Sequence, residues 1–367
     1  MPEPDQSAAR AYGKARRRIG RASAAVSVVL LVVGALAGRR LADWLDVPGP
    51  LLLDALAFTV VAGGAFELAL LPFGYARQRL SRQVGISRQT LSGWLLDRAK
   101  GGLLALVFGT LAIAAVVWVA RAQPHWWWAI AAAASVAVEL VMTAVAPVLL
   151  VPLFLRSRPL AAGPLRDDLL GLAARAGVAV GSVRVLEAGV KTASANAAVM
   201  GMGPTRRIVL TDTLIDEGAV ASAASIAEVR AVLGHELGHH RSRDLWRFAV
   251  LGALSTLLSF AVASWIIDRL PDALAHGGPR TLAGVPALAL CLGAVGAPLS
   301  LLEAAYSRRR ERAADAFGFT VAGDPEAFAR ALEGLCRTNL AEYWPPRLVR
   351  LRASHPAPGE RIARARS

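Results

Sequence analysis

The segment from His235 to His240, with the sequence His-Glu-Leu-Gly-His-His, holds the residue types best suited to chemistry in this chain. The run from Glu228 onwards predicts a helix, in which His235 and His239 project from one face and can bind one metal ion. Glu236 then lies beside the ion without binding it and can accept a proton from metal-bound water. The spacing predicts a hydrolytic metal site. His240 is rotated away from the pair and is interpreted as a flanking polar residue.

A hydrolytic zinc site needs a third protein ligand and one open position. Glu311 and Asp315 lie one turn apart in a predicted helix that follows the last apolar stretch. We expect Glu311 to bind the metal and Asp315 to accept a hydrogen bond from a ligand histidine, which fixes the tautomer of that histidine. Taken alone, both acids could instead pair with neighbouring arginines on a solvated helix face. Together with the two histidines, the pattern favours the metal site.

The composition excludes a purely soluble protein. Hydrophobic residues make up 55% of the 367 residues, and the mean hydropathy is +0.45, above the usual range of soluble chains. Only two cysteines occur, Cys291 and Cys336, so no disulfide framework is expected and the catalytic face is predicted to lie in a reducing compartment. Six apolar stretches are long enough to cross a bilayer, namely 22–38, 51–73, 101–120, 126–150, 245–267 and 282–302.

The distribution of basic residues predicts the orientation of these spans. Six lysines and arginines precede the first stretch and another six lie between the second and third, whereas the alternate loops hold few. By the positive-inside rule, both termini, the 74–100 loop and the 156–244 segment face the cytoplasm. The excess positive charge, +14 in total, then orients the protein and suits anionic membrane lipids. No nucleic-acid partner is expected, because no binding motif is present.

Two carboxylates fall inside predicted spans, Glu67 in the second and Glu139 in the fourth. Each would cost about 2.5 kcal/mol or more facing lipid. Either they line a hydrated cavity, or they are neutral, hydrogen-bonded packing residues.

The chain divides into three predicted parts. Residues 1–21 form a basic N-terminal tail, residues 22–155 a membrane domain of four spans with the basic loop 74–100, and residues 156–367 a domain that includes two further spans, about 245–267 and 282–302. Outside the membrane, the pattern predicts a helix near Leu165–Ala176 and a small β-sheet. Its predicted strands are Val183–Leu186 and Arg207–Thr211, with Asn196–Met202 between them.

Six separate stretches of the chain, within residues 51–365, resemble motifs of one known family. They are Arg88–Lys100, Ser194–Gly201, Arg207–Ile215, Val232–His239, Ser307–Asp315, and Ser354–Pro356 with Glu360–Ile362. The family is that of the membrane-embedded zinc metalloproteases of the Ste24 type, also called CAAX prenyl protease 1, within the M48 group. The Ala- and Arg-rich composition suggests a bacterial member in the plasma membrane.

The resemblance implies a mainly α fold: a polytopic transmembrane helical bundle of about six spans with a cytoplasmic, gluzincin-like zinc metalloprotease domain that contains a small β-sheet. It implies one Zn²⁺ per chain and a protein or peptide substrate, possibly lipid-modified. The implied site residues are His235, His239 and Glu311 as zinc ligands, Glu236 as general acid and base, Asp315 as a supporting residue, His355 as a group that helps to hold the oxyanion, Arg361 as a structural residue, and Asn196 and Ala197 as contacts to the substrate backbone.

Some alternatives remain open. Asn196 could be a turn residue. Eukaryotic members of the family have seven spans, so the six spans counted in this chain predict a smaller or more open intramembrane chamber. A protease with its histidine motif inside a transmembrane helix is disfavoured by the polar run Ser222–Arg230. The chain could also be a membrane-protein quality-control protease of the stress-induced M48 branch. A non-catalytic zinc-containing scaffold is disfavoured by Glu236, since a closed structural site needs no base.

Overall fold

A computed structural model of the protein describes residues 5–44, 49–201, 203–215 and 225–367, and these residues are mainly helical. Six helical segments within them are long and apolar enough to cross a membrane: Ser7–Trp44, Leu51–Gln83, Leu91–Ala122, Trp127–Phe154, Asp244–Ile267 and Leu282–Ala322. Each predicted span lies within one of these segments, except that Trp126 of the fourth precedes its helix by one residue, and the match confirms the multi-pass helical bundle. Met202 and residues 222–224, which belong to the predicted stretches Asn196–Met202 and Ser222–Arg230, lie outside the described residues.

The helices are numbered in chain order. They are α1 (Ser7–Trp44), α2 (Leu51–Phe58), α3 (Gly64–Gln83), α4 (Leu91–Ala122), α5 (Trp127–Phe154), α6 (Pro164–Arg175), α7 (Asp212–Ile215), α8 (Ile226–Arg241), α9 (Asp244–Ile267), α10 (Asp272–Ala275), α11 (Val285–Ala322), α12 (Pro325–Asn339), α13 (Arg347–Arg352) and α14 (Pro358–Ala365). Five π-helical residues, Thr59–Gly63, join α2 to α3, so the second span is continuous.

Several spanning helices continue well beyond the bilayer. Residues 7–21 of the predicted basic tail belong to α1, where Tyr12 is buried and its hydroxyl lies 2.9 Å from the hydroxyl of Ser81. Most of the predicted 74–100 loop is likewise the end of α3 and the beginning of α4. Helix α11 extends twenty residues past Leu302, about 30 Å at 1.5 Å per residue. It therefore carries Glu311 and Asp315 well beyond the end of the sixth apolar stretch.

The predicted small sheet has four strands, β1 (Ser157–Pro159), β2 (Ser182–Leu186), β3 (Ala197–Met200) and β4 (Arg207–Thr211), in the order β1-β2-β4-β3. Strands β2 and β4 are parallel, whereas β1 pairs with β2, and β3 with β4, in antiparallel orientation. The sheet is therefore mixed, and β3 forms one edge of it. The three-residue strand β1 was not predicted because it is too short to show alternation.

Helices α6 and α8 pack on this sheet around one hydrophobic core. Six of its fully buried side chains come in pairs from α6, β4 and α8: Leu169 and Leu172, Ile208 and Leu210, Leu233 and Leu237. Each stabilises the domain by about 1.5–3 kcal/mol relative to an exposed position. The helix with the histidine motif is thus held against the sheet.

The two intramembrane carboxylates differ in their surroundings. Glu67 of α3 forms an ion pair with Arg98 of α4, which neither of the sequence interpretations anticipated. Glu139 lines a cavity of about 390 Å³ between α5, α9 and α11 together with polar side chains that include Ser255, Thr256 and Glu303. This environment corresponds to the cavity interpretation of Glu139.

Candidate metal centre

The metal motifs meet because α8 and α11 pack unusually closely. At Gly318 of α11, a Cβ atom would lie only 2.8 Å from the backbone nitrogen of His235, and at Gly238 of α8 it would lie 3.0 Å from the Cα of Ala314. Real Cβ atoms essentially never approach another heavy atom to within 3.0 Å. Glycine at these positions therefore lets the two backbones touch, which brings the side chain of Glu311 over the face of α8 that carries both histidines.

Three side chains converge in a geometry that suits one metal ion. The Nε2 of His235 lies 3.4 Å from Oε2 of Glu311, and the Nε2 of His239 lies 3.3 Å from its Oε1. One donor atom from each residue lies within 4.8 Å of the other two. Tetrahedral ligands at 2.0–2.2 Å from zinc are about 3.3–3.5 Å apart, so two imidazoles and a carboxylate in this arrangement fit such an ion and leave its fourth position open.

A second carboxylate faces the other nitrogen of each histidine. The Nδ1 of His235 lies 2.8 Å from Oδ1 of Asp315, and the Nδ1 of His239 lies 2.9 Å from Oδ2 of Asp244. Donation from Nδ1 leaves Nε2 as the acceptor that a metal ion requires. The contact of Asp315 is the one that its spacing from Glu311 predicted. Asp244 was missed, although its place five residues after His239 could have suggested it.

Arg361 neutralises the buried acid behind His235. Its guanidinium donates to both oxygens of Asp315, with Nη2 at 2.6 Å and Nε at 3.0 Å. Asp315 is completely buried. Burial opposes ionisation of this carboxyl, but hydrogen bonds from His235 and Arg361 outweigh it and lower its pKa. Arg361, which was expected to be structural, is thus placed against the carboxylate that faces His235.

The surroundings of the ligand residues favour a negatively charged Glu311 and a positively charged His239. Burial opposes ionisation of Glu311, but hydrogen bonds from His239 and His355 lower its pKa well below the usual range. Burial likewise opposes protonation of His239, yet hydrogen bonds to Glu311 and Asp244 raise its pKa to about 9. Without metal, the centre is therefore a protonated imidazole between two carboxylates, and a metal ion would take the place of that positive charge.

His355 reaches the same centre from the C-terminal segment. Its Nδ1 lies 2.6 Å from Oε2 of Glu311, and its side chain is 60% exposed. Glu236 lines a cavity of about 350 Å³ beside the donors, together with residues of β3 and the apolar side chains of Leu245 and Phe248. The structure therefore places Glu236 in the wall of this cavity, whereas His355 reaches the metal centre through its contact with Glu311.

The edge strand β3 borders this cavity, and part of its backbone is already hydrogen-bonded. The side-chain Oδ1 of Asn196 accepts from the N–H of Ala197 at 2.9 Å. Nε2 of His240 lies 3.0 Å from the C=O of Val199. His240 was interpreted as a flanking polar residue and lies outside the group of candidate ligands, but its contact with Val199, which the sequence did not predict, joins the metal-motif helix to the edge strand. Burial lowers the pKa of His240, so the neutral ring donates this bond.

The loop between α3 and α4 supports the segment that leads into β3. The N–H of Arg88 donates to the C=O of Lys191 at 2.9 Å, and the N–H of Ala193 donates to the C=O of Ile86 at 2.8 Å. The Nζ of Lys191 lies 2.6 Å from Oδ2 of Asp97 in α4. The α3–α4 loop therefore holds the segment that precedes the edge strand of the sheet.

Comparison with known proteins gives matches along the whole chain. Residues 159–367 match the family model of peptidase family M48, and residues 1–156 match a model described as CAAX prenyl protease N-terminal, five membrane helices. The described part of residues 1–156 contains four candidate spans.

Individual proteins show the same similarity. The chain is 28% identical over 92% of its length, and 79% of the relative, to a Bacillus subtilis (strain 168) protein named "Uncharacterized metalloprotease YhfN". It is 32% identical over 53% of its length to a "Protease HtpX homolog" of Ralstonia pickettii (strain 12J), of which 69% is covered. Its fold resembles the crystal structure of Ste24p from S. mikatae, with a TM-score of 0.75, 24% identity, and coverage of 84% of this chain and 75% of that one.

Proposed function

The chain belongs to peptidase family M48 and is a multi-pass membrane metalloprotease, and we propose that it is a zinc-dependent endopeptidase that acts on membrane-associated or lipid-modified proteins and peptides. Its active site and both termini would face the cytoplasm of a bacterial cell. The observation that carries the proposal is the convergence of His235, His239 and Glu311, with Glu236 at the same cavity.

One Zn²⁺ per chain would be held by the two Nε2 atoms and the carboxylate of Glu311, and such an ion supplies Lewis-acid activation of water and of the scissile carbonyl. Glu236 accepts the proton of the attacking water on its carboxylate and later donates it to the leaving amine. Asp315 and Asp244 hold the tautomers of the two histidines. His355, at the rim beside Glu311, is the group proposed to donate to the oxyanion.

The edge strand supports recognition of an extended substrate backbone. Because the N–H of Ala197 and the C=O of Val199 are engaged within the protein, the C=O of Ala197 and the N–H of Val199 are the groups offered on this side of β3. Two such groups, two residues apart, pair with one extended peptide strand. Asn196 then acts by capping Ala197 and by presenting its amide NH₂ beside the peptide.

The surroundings of the cavity support a substrate with an apolar membrane-embedded part. A second cavity of about 370 Å³ between α5 and α9 shares Thr143, Leu245 and Phe248 with the cavity at the metal centre. The lining of this second cavity is mainly apolar, apart from Glu139. An acyl or prenyl chain, or a transmembrane segment, could occupy it while the peptide lies along β3.

A membrane-protein quality-control role is the second candidate. It is favoured by the similarity of 53% of this chain to the HtpX homologue. The two roles differ in substrate, since one requires a lipid anchor near the scissile bond and the other requires a misfolded membrane protein. A non-catalytic scaffold would cleave neither.

The decisive experiment compares the wild type with Glu236→Gln, both purified in lipid nanodiscs. We expect chelator-sensitive cleavage of an anchored peptide by the wild type. Glu236→Gln should keep one zinc per chain but lose at least about 100-fold in kcat, the usual contribution of a general base. Glu187→Gln, a surface control, should behave as the wild type. Full activity of Glu236→Gln would refute the assignment.

The substrate class can be determined by comparing the membrane proteins of cells that carry the wild type with those of cells that carry Glu236→Gln. Mass spectrometry of membrane proteins from cells with either variant should reveal products that are absent with Glu236→Gln. Products that end near a lipidated residue favour the processing role, whereas fragments of misfolded membrane proteins favour quality control.

A further inference from the structure

The segment from Trp344 to Arg352, between α12 and the loop that carries His355, exposes an unusual set of side chains. Three large apolar residues, Trp344, Leu348 and Leu351, are 49%, 74% and 48% exposed, although the segment lies outside the spanning helices. Three arginines of α13 are exposed beside them: Arg347, Arg350 and Arg352. None of the three has a carboxylate partner among the described residues.

The N-terminal end of this segment is held near the membrane by α1. Nη1 of Arg17 donates to Oε1 of Glu342 at 2.6 Å. Arg17 lies five residues before Ala22, where the apolar stretch of α1 begins. At 1.5 Å per residue, the backbone of Arg17 lies about 8 Å along α1 from the start of that apolar stretch.

The C-terminal end is held at the same level by α11. Nη1 of Arg308 donates to the C=O of Leu351 at 2.9 Å and to the C=O of Ala353 at 2.8 Å. Arg308 lies six residues after Leu302, the last residue of the sixth apolar stretch. The same rise places the backbone of Arg308 about 9 Å along α11 from the end of that stretch. The headgroup region is about 5–8 Å thick on each side of a bilayer, so the two helix positions that hold the segment lie near the outer edge of this region.

Exposed tryptophan and leucine side chains mixed with arginines are the composition that binds at an interface between anionic headgroups and acyl chains. We propose that Trp344–Arg352 is a peripheral membrane contact, in which Leu348 and Leu351 insert between acyl chains and the three arginines bind the phosphates of anionic phospholipids. The cytoplasmic orientation proposed above supplies the anionic leaflet. The contact itself does not depend on proteolytic activity.

This contact has a structural consequence for the metal centre. Only Ala353 and Ser354 separate α13 from His355, whose ring touches Glu311. A membrane-bound α13 would therefore hold His355 at a constant height above the bilayer.

The test places a fluorophore at Leu348 in the full-length protein in nanodiscs. Leu348→Cys is labelled with an environment-sensitive probe, and the unmodified protein gives the background from Cys291 and Cys336, which are both buried. Nanodiscs are prepared with or without brominated acyl chains, and with zwitterionic lipid alone or with an anionic phospholipid added. Quenching by bromine reports contact of the probe with lipid chains and needs no substrate or zinc.

Ala174→Cys on α6 is the matched control. Ala174 is exposed. Asp168, also on α6, forms an ion pair with Arg230, and Arg230 donates to the C=O of Ala322, the last residue of α11. That carbonyl lies twenty residues, about 30 Å, beyond Leu302.

We expect bromine to quench the Leu348 probe at least about threefold more than the Ala174 probe, and more strongly with anionic lipid. Neutralising the arginines as Arg347→Gln, Arg350→Gln and Arg352→Gln should lower the equilibrium constant for contact with anionic lipid by about fivefold for each residue, so the triple variant should lose the anionic dependence of quenching. Equal quenching at the two positions would overturn the proposal. So would a Leu348 probe that is shielded without bromine quenching, because a protein surface or a second copy would then cover the segment.

Discussion

Asp244 lies 2.9 Å from the Nδ1 of His239, and this contact gives the second histidine the same arrangement that Asp315 gives the first. Each imidazole is held between a carboxylate at Nδ1 and Glu311 at Nε2. Asp244 is 1% exposed and also accepts from Nε of Arg310 at 2.6 Å. The first residue of α9 therefore links the beginning of a membrane span to the proposed metal site.

The variant Asp244→Asn should weaken zinc binding. The amide oxygen can still accept from Nδ1, but without the negative charge the hydrogen bond is weaker and the ring of His239 is less basic. Such changes to a ligand's supporting partner reduce metal affinity by about 10- to 100-fold. The measurement is competition with a chromogenic chelator on the detergent-solubilised protein. Asp268→Asn, an exposed residue at the other end of α9, is the control and should leave the affinity unchanged. An equal affinity in both variants would exclude a role for Asp244.

Zinc affinity should rise with pH up to about 9. In the metal-free protein, hydrogen bonds to Glu311 and Asp244 outweigh burial and raise the pKa of His239 to about 9. Zinc must displace that proton, so the apparent affinity should increase by about tenfold per pH unit between pH 7 and 9. Calorimetry in buffers of different ionisation enthalpy measures the released proton. No proton release at pH 7.5 would show that His239 is neutral before the metal binds.

The same titration should affect the stability of the metal-free protein. A raised pKa means that the folded state binds a proton that the unfolded state releases above about pH 6.5. The stabilisation is therefore complete below pH 6.5 and is lost as the pH rises to about 9. Thermal unfolding of the apo protein should show a Tm that falls across this range, and Asp244→Asn should shift the fall to lower pH.

Arg361→Gln should destabilise the peptidase domain. The substitution leaves the completely buried Asp315 without its guanidinium partner, and breaking such a pair costs about 3–5 kcal/mol in the free energy of unfolding. Arg361→Lys should restore little, because an ammonium cannot donate to both carboxylate oxygens in the fork geometry. Chemical unfolding in detergent measures the effect. The control is Arg364→Gln on the exposed face of α14, and an equal loss there would contradict the argument.

Removing one partner of the Glu67–Arg98 ion pair should destabilise the protein more than removing both. Arg98→Met leaves an unpaired carboxylate within the second span, which costs about 2.5 kcal/mol or more against lipid. The double variant Glu67→Leu, Arg98→Met removes both charges and should recover most of the lost stability. Thermal unfolding in nanodiscs tests this, and a double variant no more stable than Arg98→Met would exclude the pairing.

The short-range features of this protein could be predicted from its sequence. The apolar stretches are long enough to mark six spans, and the helical period brings His235 next to His239 and Glu311 next to Asp315. These relationships need only a local repeat of 3.6 residues per turn, so no other part of the chain has to be known. The strands Val183–Leu186 and Arg207–Thr211 were recognisable from another local signal, short β-branched runs bounded by glycine and proline.

The contacts between elements were decided by the tertiary structure alone. Asp244 at His239, Arg361 at Asp315, and His240 at Val199 each join residues on different elements. Which residues meet depends on the depth and rotation at which two helices or a helix and a strand pack, and at α8 and α11 that depth is set by glycines that let the backbones touch. Sequence periodicity specifies the face that a helix presents, but not the residue on the partner that packs against it.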